Sequence, residues 1–446
     1  SCSQRHDRNA QSADATRTVV PPANPLALAL ASHSGSGRLD KDIIRLQEQI
    51  RSGKQTDLAL EQLGWKFVAK ARESFDPGFY KLAEQCALAI EARQPHSAEA
   101  LLLRGHALHN LHRFKEAEPL ARQLAAGRGS PFDFGLLGDV LMEQGKLAEA
   151  VEAYQRMMDL RPDLHSYARG AHVRWLKGNV AGAEKLMRLA VSAASPHDSE
   201  SAAWVYVRLG AYQFQSGAFA EAERACATAL EFQNDYPSAL LLLGRLLLAQ
   251  GHYGQAAKTL RRAMELNPLP EYQWALAEAL RADGRAEEAM AVEAQLHRHG
   301  ATTDPRTYSL YLATRGQSAA TALRLAEVEL QARGDVFTHD ALAWALAAAD
   351  KMDAARRHAA QALSEGTQDG RLFLHAAGIA QRGGDEAAAR RWAAQALQLK
   401  HLLLPSEREL LESVAPASGL ASQTKFSPAE AVAAGGGTHD NHTTQP

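Results

Sequence analysis

The sequence predicts an all-α chain: an α-solenoid of about nine to ten copied helix–turn–helix units, with capping helices at both ends. Three observations carry this. Glycine recurs about every 34 residues, at Gly145, Gly178, Gly217, Gly251, Gly284, Gly316 and Gly384, each after a helix-like apolar stretch. An alanine follows soon after, at Ala150, Ala183, Ala222, Ala256, Ala289 and Ala389, and a small residue stands upstream, at Gly105, Gly138, Gly210, Gly244, Ala277, Ala343 and Ala377. Leu and Ala dominate while β-branched residues are sparse, which favours helix and leaves little for a sheet.

Each position has a physical reason. The upstream small residue lets the second helix of a unit approach the first, where a larger side chain would hold the axes apart. The turn glycine can take φ > 0 and end the first helix. The alanine fills the crossing point, and prolines such as Pro162 and Pro268 start or stop a helix.

Along the chain, residues 1–38 are rich in Ser, Ala, Asn and Pro and read as a flexible tether. Residues 39–97 read as N-terminal capping helices and a degenerate repeat. Leu39, Ile43, Leu46 and Ile50 form a helical stripe over Leu39–Arg51, with Asp40 or Asp42 placed to favour its N-terminus. Thr56–Ser74 and Pro77–Arg93 make the next pair. The repeat array spans 98–401, with units starting near Ala98, Pro131, Leu164, Ala203, Pro237, Pro270, Thr302, Val336 and Gly370. The longer step before Ala203 holds Ala194–Asp198, an expected inter-repeat loop. Residues 402–414 read as a C-terminal cap, with Ser406 as N-cap and Glu409 three residues on. Residues 415–446 read as a disordered tail.

The pattern resembles the tetratricopeptide repeat. Pro131–Leu164 carries Phe134, Leu137, Gly138, Leu141, Gly145, Ala150, Tyr154 and Pro162 at signature positions, and Pro237–Pro270 follows with Leu240, Leu243, Gly244, Gly251, Ala256, Ala263 and Pro268. The resemblance implies a right-handed superhelix that acts as a non-catalytic scaffold, binding a partner protein or peptide in its concave groove. Carrying the family's groove positions over residue by residue points to Trp175, Trp204, Phe214, Arg245, Trp274, Glu278, Arg281, Arg306, Phe337, Asp340 and Trp344. Four of the six tryptophans fall in that set, and Trp and Arg are the residues that anchor interfaces. The family's Lys/Asn carboxylate clamp is not evident.

An alternative uses the histidines. His106 and His109 share a helix face, and Asp139 and His172 stand at groove positions further on. Two His and a carboxylate can ligate a transition metal. The main expectation is no metal and no cofactor. Phosphate loops, nucleophile elbows and zincin motifs are absent, so no enzyme is expected. A net charge of −2 argues against nucleic acid as partner. Cys86 and Cys226 read as buried thiols. Ser1-Cys2-Ser3 resembles the end of a bacterial lipobox, which implies Cys2 as a lipidation site and membrane attachment there. Localisation in the bacterial envelope, and a part in assembling or stabilising an envelope complex, follow as expectations; a cytoplasmic location is the alternative.

Overall fold

The structure, a computed structural model, describes residues 24–415. Cys2, the first 23 residues of the expected tether, and the tail from 416 lie outside the described residues. The described residues are all-α and divide into two compact units between Arg128 and Gly129. The first expected repeat, starting at Ala98, lies in the first unit, together with the helices expected to cap the array.

The first unit holds α1 (Pro25–Ala29), α2 (Arg38–Arg51), α3 (Thr56–Ser74), α4 (Gly78–Glu91), α5 (Ala98–Asn110) and α6 (Phe114–Gly127). Ile43 and Leu46 of α2 pack with Leu63 and Phe67 of α3, Ile90 of α4 and Leu103 of α5. The helical stripe read from 39–51 is thus the buried face. The tether expectation fails over its last third: α1 is a helix, Ala29 is fully buried, and Gln47 Nε2 donates to the carbonyls of Ala29 and Ala31 at 3.1 and 2.9 Å. Its apolar run Leu26–Leu30 had a core to join. Of the two candidate acids, Asp40 serves the start of α2, accepting the Gly37 N–H at 3.0 Å.

The second unit continues with α7 (Pro131–Glu143), α8 (Leu147–Leu160), α9 (Leu164–Leu176), α10 (Val180–Ser192), α11 (Ser199–Gln215), α12 (Phe219–Phe232), α13 (Pro237–Ala249), α14 (Tyr253–Leu266), α15 (Pro270–Ala282) and α16 (Ala286–Thr303). Then come α17 (Pro305–Thr314), α18 (Ala319–Ala332), α19 (Val336–Ala348), α20 (Met352–Ala362), α21 (Gly370–Arg382), α22 (Glu386–Gln398), a 3₁₀ turn (Lys400–Leu402) and α23 (Pro405–Val414). Unit starts expected at Pro131, Leu164, Pro237, Pro270, Val336 and Gly370 each open a helix. Ala203 lies inside α11, which Asp198 begins by capping Ser201 N–H, and Thr302 lies in the last turn of α16 because the next helix waits for Pro305. Side-chain caps set most of the other starts: Ser130 accepts from Asp133 N–H, Asp163 from Ser166, Asp335 from Thr338 and Asp369 from Leu372. The turn glycines of the sequence pattern all have positive φ. At Gly138 an added methyl would overlap the Tyr154 ring, which is the close approach the small residue permits.

The second unit curls so tightly that its later hairpins touch its earlier ones. Gly334 N–H donates to the Glu143 carbonyl at 2.9 Å. Thr367 Oγ1 donates to the Leu176 carbonyl at 2.7 Å, Lys177 pairs with Glu365, and His401 Nε2 donates to the Phe214 carbonyl at 2.9 Å. These last three bonds join residues 191, 188 and 187 apart. One turn of the curl thus takes roughly 190 residues, between five and six units of about 34. Leu147, Leu176 and Val336 form a buried apolar cluster across the same seam.

The C-terminal cap forms, with different chemistry from the expected one. Pro405 is the first residue of α23 and Ser406 lies within its first turn, so Ser406 is not the N-cap. Glu407 accepts the Leu404 N–H at 2.8 Å in place of the Ser406/Glu409 pair.

Candidate functional site

The first helices of successive hairpins, α9, α11, α13 and α15, turn one face inward. Facing them stand α19, α21 and the segment after α22. Between them lies a cavity of about 470 Å³ lined by Trp175, Trp204, Arg208, Tyr212, Arg245, Tyr272, Asp369, Arg371 and Leu402, among others. A smaller one of about 170 Å³ shares Arg245, Glu271, Asp369 and Arg371 with it and adds Trp274, Arg306, Phe337 and Asp340. The larger volume lies in the range of ligand pockets.

The structure does bring most of the expected groove residues to this inner region, but it does not leave them open. Trp204 is exposed at 38% and lines the cavity. Trp175 is half-buried and stacks on Phe337 at 5.4 Å. Trp274 and Trp344 are core residues, 2% and 6% exposed. Trp274 Nε1 donates to Glu278 at 3.1 Å, and Trp344 stacks on His375 at 4.4 Å while its Nε1 donates to Thr314. Phe214 is buried against Phe219 and His401. Asp340 is buried and accepts from His375 Nδ1 at 2.9 Å. The expectation of exposed anchors at the buried positions is corrected: His401, one turn of the curl on, covers Phe214, Arg371 lies over Trp274, and His375 of the adjacent hairpin covers Trp344 and Asp340.

The charged positions behave likewise. Arg245 Nη2 donates to the Leu402 carbonyl at 2.5 Å. Glu278, 4% exposed, accepts Ser406 N–H at 2.9 Å and Ser406 Oγ at 2.6 Å, and burial raises its pKa. Arg306 reaches Asp335 at 3.3 Å. Arg281 pairs with Glu293 of the next helix and lines neither cavity. It is a hairpin residue, not a groove residue.

The histidine alternative is not assembled. His106 and His109 belong to the first unit, where they lie against Trp65 and Phe114 at 5.4 Å each. In the second unit Asp139 is held by both arms of Arg169, at 2.8 and 2.6 Å, and by the Tyr154 hydroxyl. His172 accepts from Arg208 Nη2 at 3.2 Å; burial, then that guanidinium, push its pKa down to about 3. Among the described residues no group of three or more His, Cys, Asp or Glu is placed to hold a metal.

The groove register read from sequence misses Arg208, Tyr212, Asp369 and Arg371. Trp204, Arg208 and Tyr212 stand at i, i+4 and i+8 on α11, a stripe visible in the sequence. Arg208 hydrogen-bonds neutral partners, His172 and Tyr212 Oη, each at 3.2 Å, and no carboxylate pairs with it among the described residues. Arg371 lies over the Trp274 ring at 4.9 Å and bonds the fully buried Glu407 at 2.5 Å. Burial works against the Glu407 charge, but Arg371 and the Leu404 N–H bring its pKa below the usual value.

Stacked hairpins with a shared inner face define a helical-repeat scaffold. Residues 68–133, 136–199 and 213–278 match the tetratricopeptide repeat family. Those segments of the chain are tetratricopeptide repeats, and scaffolds built from such repeats bind other proteins. No curated protein sequence matches it. Among solved structures, yeast Tom70 is 14% identical, with 85% of this chain and 96% of that chain covered and a TM-score of 0.37. The C-terminal part of a TPR repeat-containing protein from Cytophaga hutchinsonii is 20% identical, covering 54% of this chain and 95% of that chain at a TM-score of 0.33.

Proposed function

We propose that the second unit is a non-catalytic scaffold that takes a short segment of a partner protein at Trp204 and Arg208. The observation that carries this is the unpaired charge of Arg208 beside an exposed indole in a cavity of about 470 Å³. His172 is neutral at ordinary pH, so it does not offset the guanidinium. A partner carboxylate would, and an apolar side chain beside it would cover Trp204. Such a pairing places the two residue types that most often dominate binding energy at one spot.

The test is affinity capture from native membranes with the wild-type chain, Trp204→Ala and Arg208→Ala in parallel, followed by measured affinity for any protein that the wild type alone retains. A partner lost by both variants supports the reading; identical capture by all three overturns it. An envelope location with Cys2 lipidated is the setting we propose for this scaffold, and Cys2→Ser should then move the chain out of the membrane fraction.

A further inference from the structure

The segment after α22 does more than end the array. From Lys400 to Arg408 it lies along α11, α13 and α15 like a bound peptide. His401 donates to the carbonyl of Phe214, and Arg408 Nη1 approaches the carbonyl of Leu248 at 3.4 Å. Both carbonyls lie in the last turns of their helices, α11 and α13, where the backbone leaves negative ends that favour such donors. In return Arg245 donates to the Leu402 carbonyl, and Leu403 and Leu404 are buried. Glu278 then takes the N–H and hydroxyl of Ser406, in the first turn of α23, where helical N–H groups lack internal partners. Glu278 is thus a cap supplied from another helix, 128 residues away in sequence.

The bonds to Glu278 come from neutral donors: Trp274 Nε1 and the two Ser406 groups. It is a buried acid kept in place for a helix N-terminus. Without the strap, two of its three hydrogen bonds are gone and Arg245 loses a carbonyl acceptor. That is the description of a recognition surface with its occupant attached.

We infer that the inner face of α11, α13 and α15 recognises an extended leucine-rich segment running into a helix with a serine in its first turn, and that the Lys400–Arg408 strap is its tethered, displaceable occupant. A partner that carries the same chemistry competes with the strap and opens the curl. This rests on the scaffold reading and adds its regulation.

The test has two arms. In the wild-type full chain, amide hydrogen exchange at Leu404 and Ser406 should run at least about tenfold faster than at Ala277 and Leu280 of α15, through an opening smaller than global unfolding. A labelled peptide with the sequence of residues 398–414 should bind a His401→Ala/Arg408→Ala variant at least about tenfold tighter than wild type, and Glu278→Gln added to that variant should erase the gain. Strap amides that exchange only at the α15 rate overturn the inference, as does fast exchange without a gain in peptide binding. Should the variant not fold, the wild-type exchange rates decide alone. Trp204→Ala and Arg208→Ala should leave strap exchange unchanged, so loss of either reading leaves the other measurable.

Discussion

The two units use the same hairpin and differ in what the hairpins finally touch. In the first, side chains link helices near each other in sequence: Lys70 reaches Asp40 at 3.0 Å, Arg113 reaches Glu84 at 2.7 Å and Arg104 reaches Glu91 at 3.0 Å. In the second, the same kind of local packing is joined by bonds spanning 128 to 191 residues, from Ser406–Glu278 to Thr367–Leu176. The contrast teaches that a repeat encodes its own crossing and its neighbour's, while closure arises from small rotations added over many repeats.

The largest break of that contrast should come at Arg371. Arg371→Leu leaves Glu407 buried without its cation, and should cost about 3–5 kcal/mol in urea unfolding, with protection lost across the second unit in hydrogen exchange and kept in the first. Next is a comparison of turn glycines within the second unit. Gly145 has φ +75° and a methyl there would overlap the Gly334 carbonyl, whereas Gly217 has φ +78° and open space around it. Gly145→Ala should cost about 3 kcal/mol and Gly217→Ala about 1 kcal/mol, since only the first adds a clash to left-handed strain. Equal losses in thermal melts would mean that the seam between turns contributes nothing.

Trp204→Ala should weaken partner binding by about 2 kcal/mol, roughly 30-fold in Kd, with no fall in Tm. Trp274→Ala, a core change, should lower Tm instead. The smallest effect is confined to acid and to the first unit. Lys70, then His33, hold the Asp40 carboxyl at about 2, below its ordinary 3.8. A depressed carboxylate pKa stabilises the fold above the unfolded value, and that stabilisation is lost as pH falls from about 4 through 2. Asp40→Asn should flatten the pH dependence of α2 and α3 protection over that window; an unchanged slope would remove Asp40 as its source.

The hairpins were legible because each rests on local signals. Gly138 must admit Tyr154, Pro131 and Pro270 preset the first turn, and Asp163 and Asp335 accept orphan N–H groups of the helices they start. The inner-face register was also legible, since Trp175, Trp204, Arg245 and Phe337 all reach the interior of the curl. What sequence reasoning lacked was the neighbour across the turn. Phe214 occupies an inner position, yet His401 from the segment after α22 bonds its carbonyl and lies against its ring. No period near 34 residues announces a contact made roughly 190 residues away.

That offset has a consequence for how such a chain can change length. An open stack gains or loses a hairpin at little cost, because every remaining hairpin keeps both of its neighbours. Here, excising one hairpin between Phe214 and Gly334 would leave local packing intact but misalign Gly334 with Glu143, Thr367 with Leu176 and His401 with Phe214 together. The seam counts hairpins, and so fixes the size of this array from within.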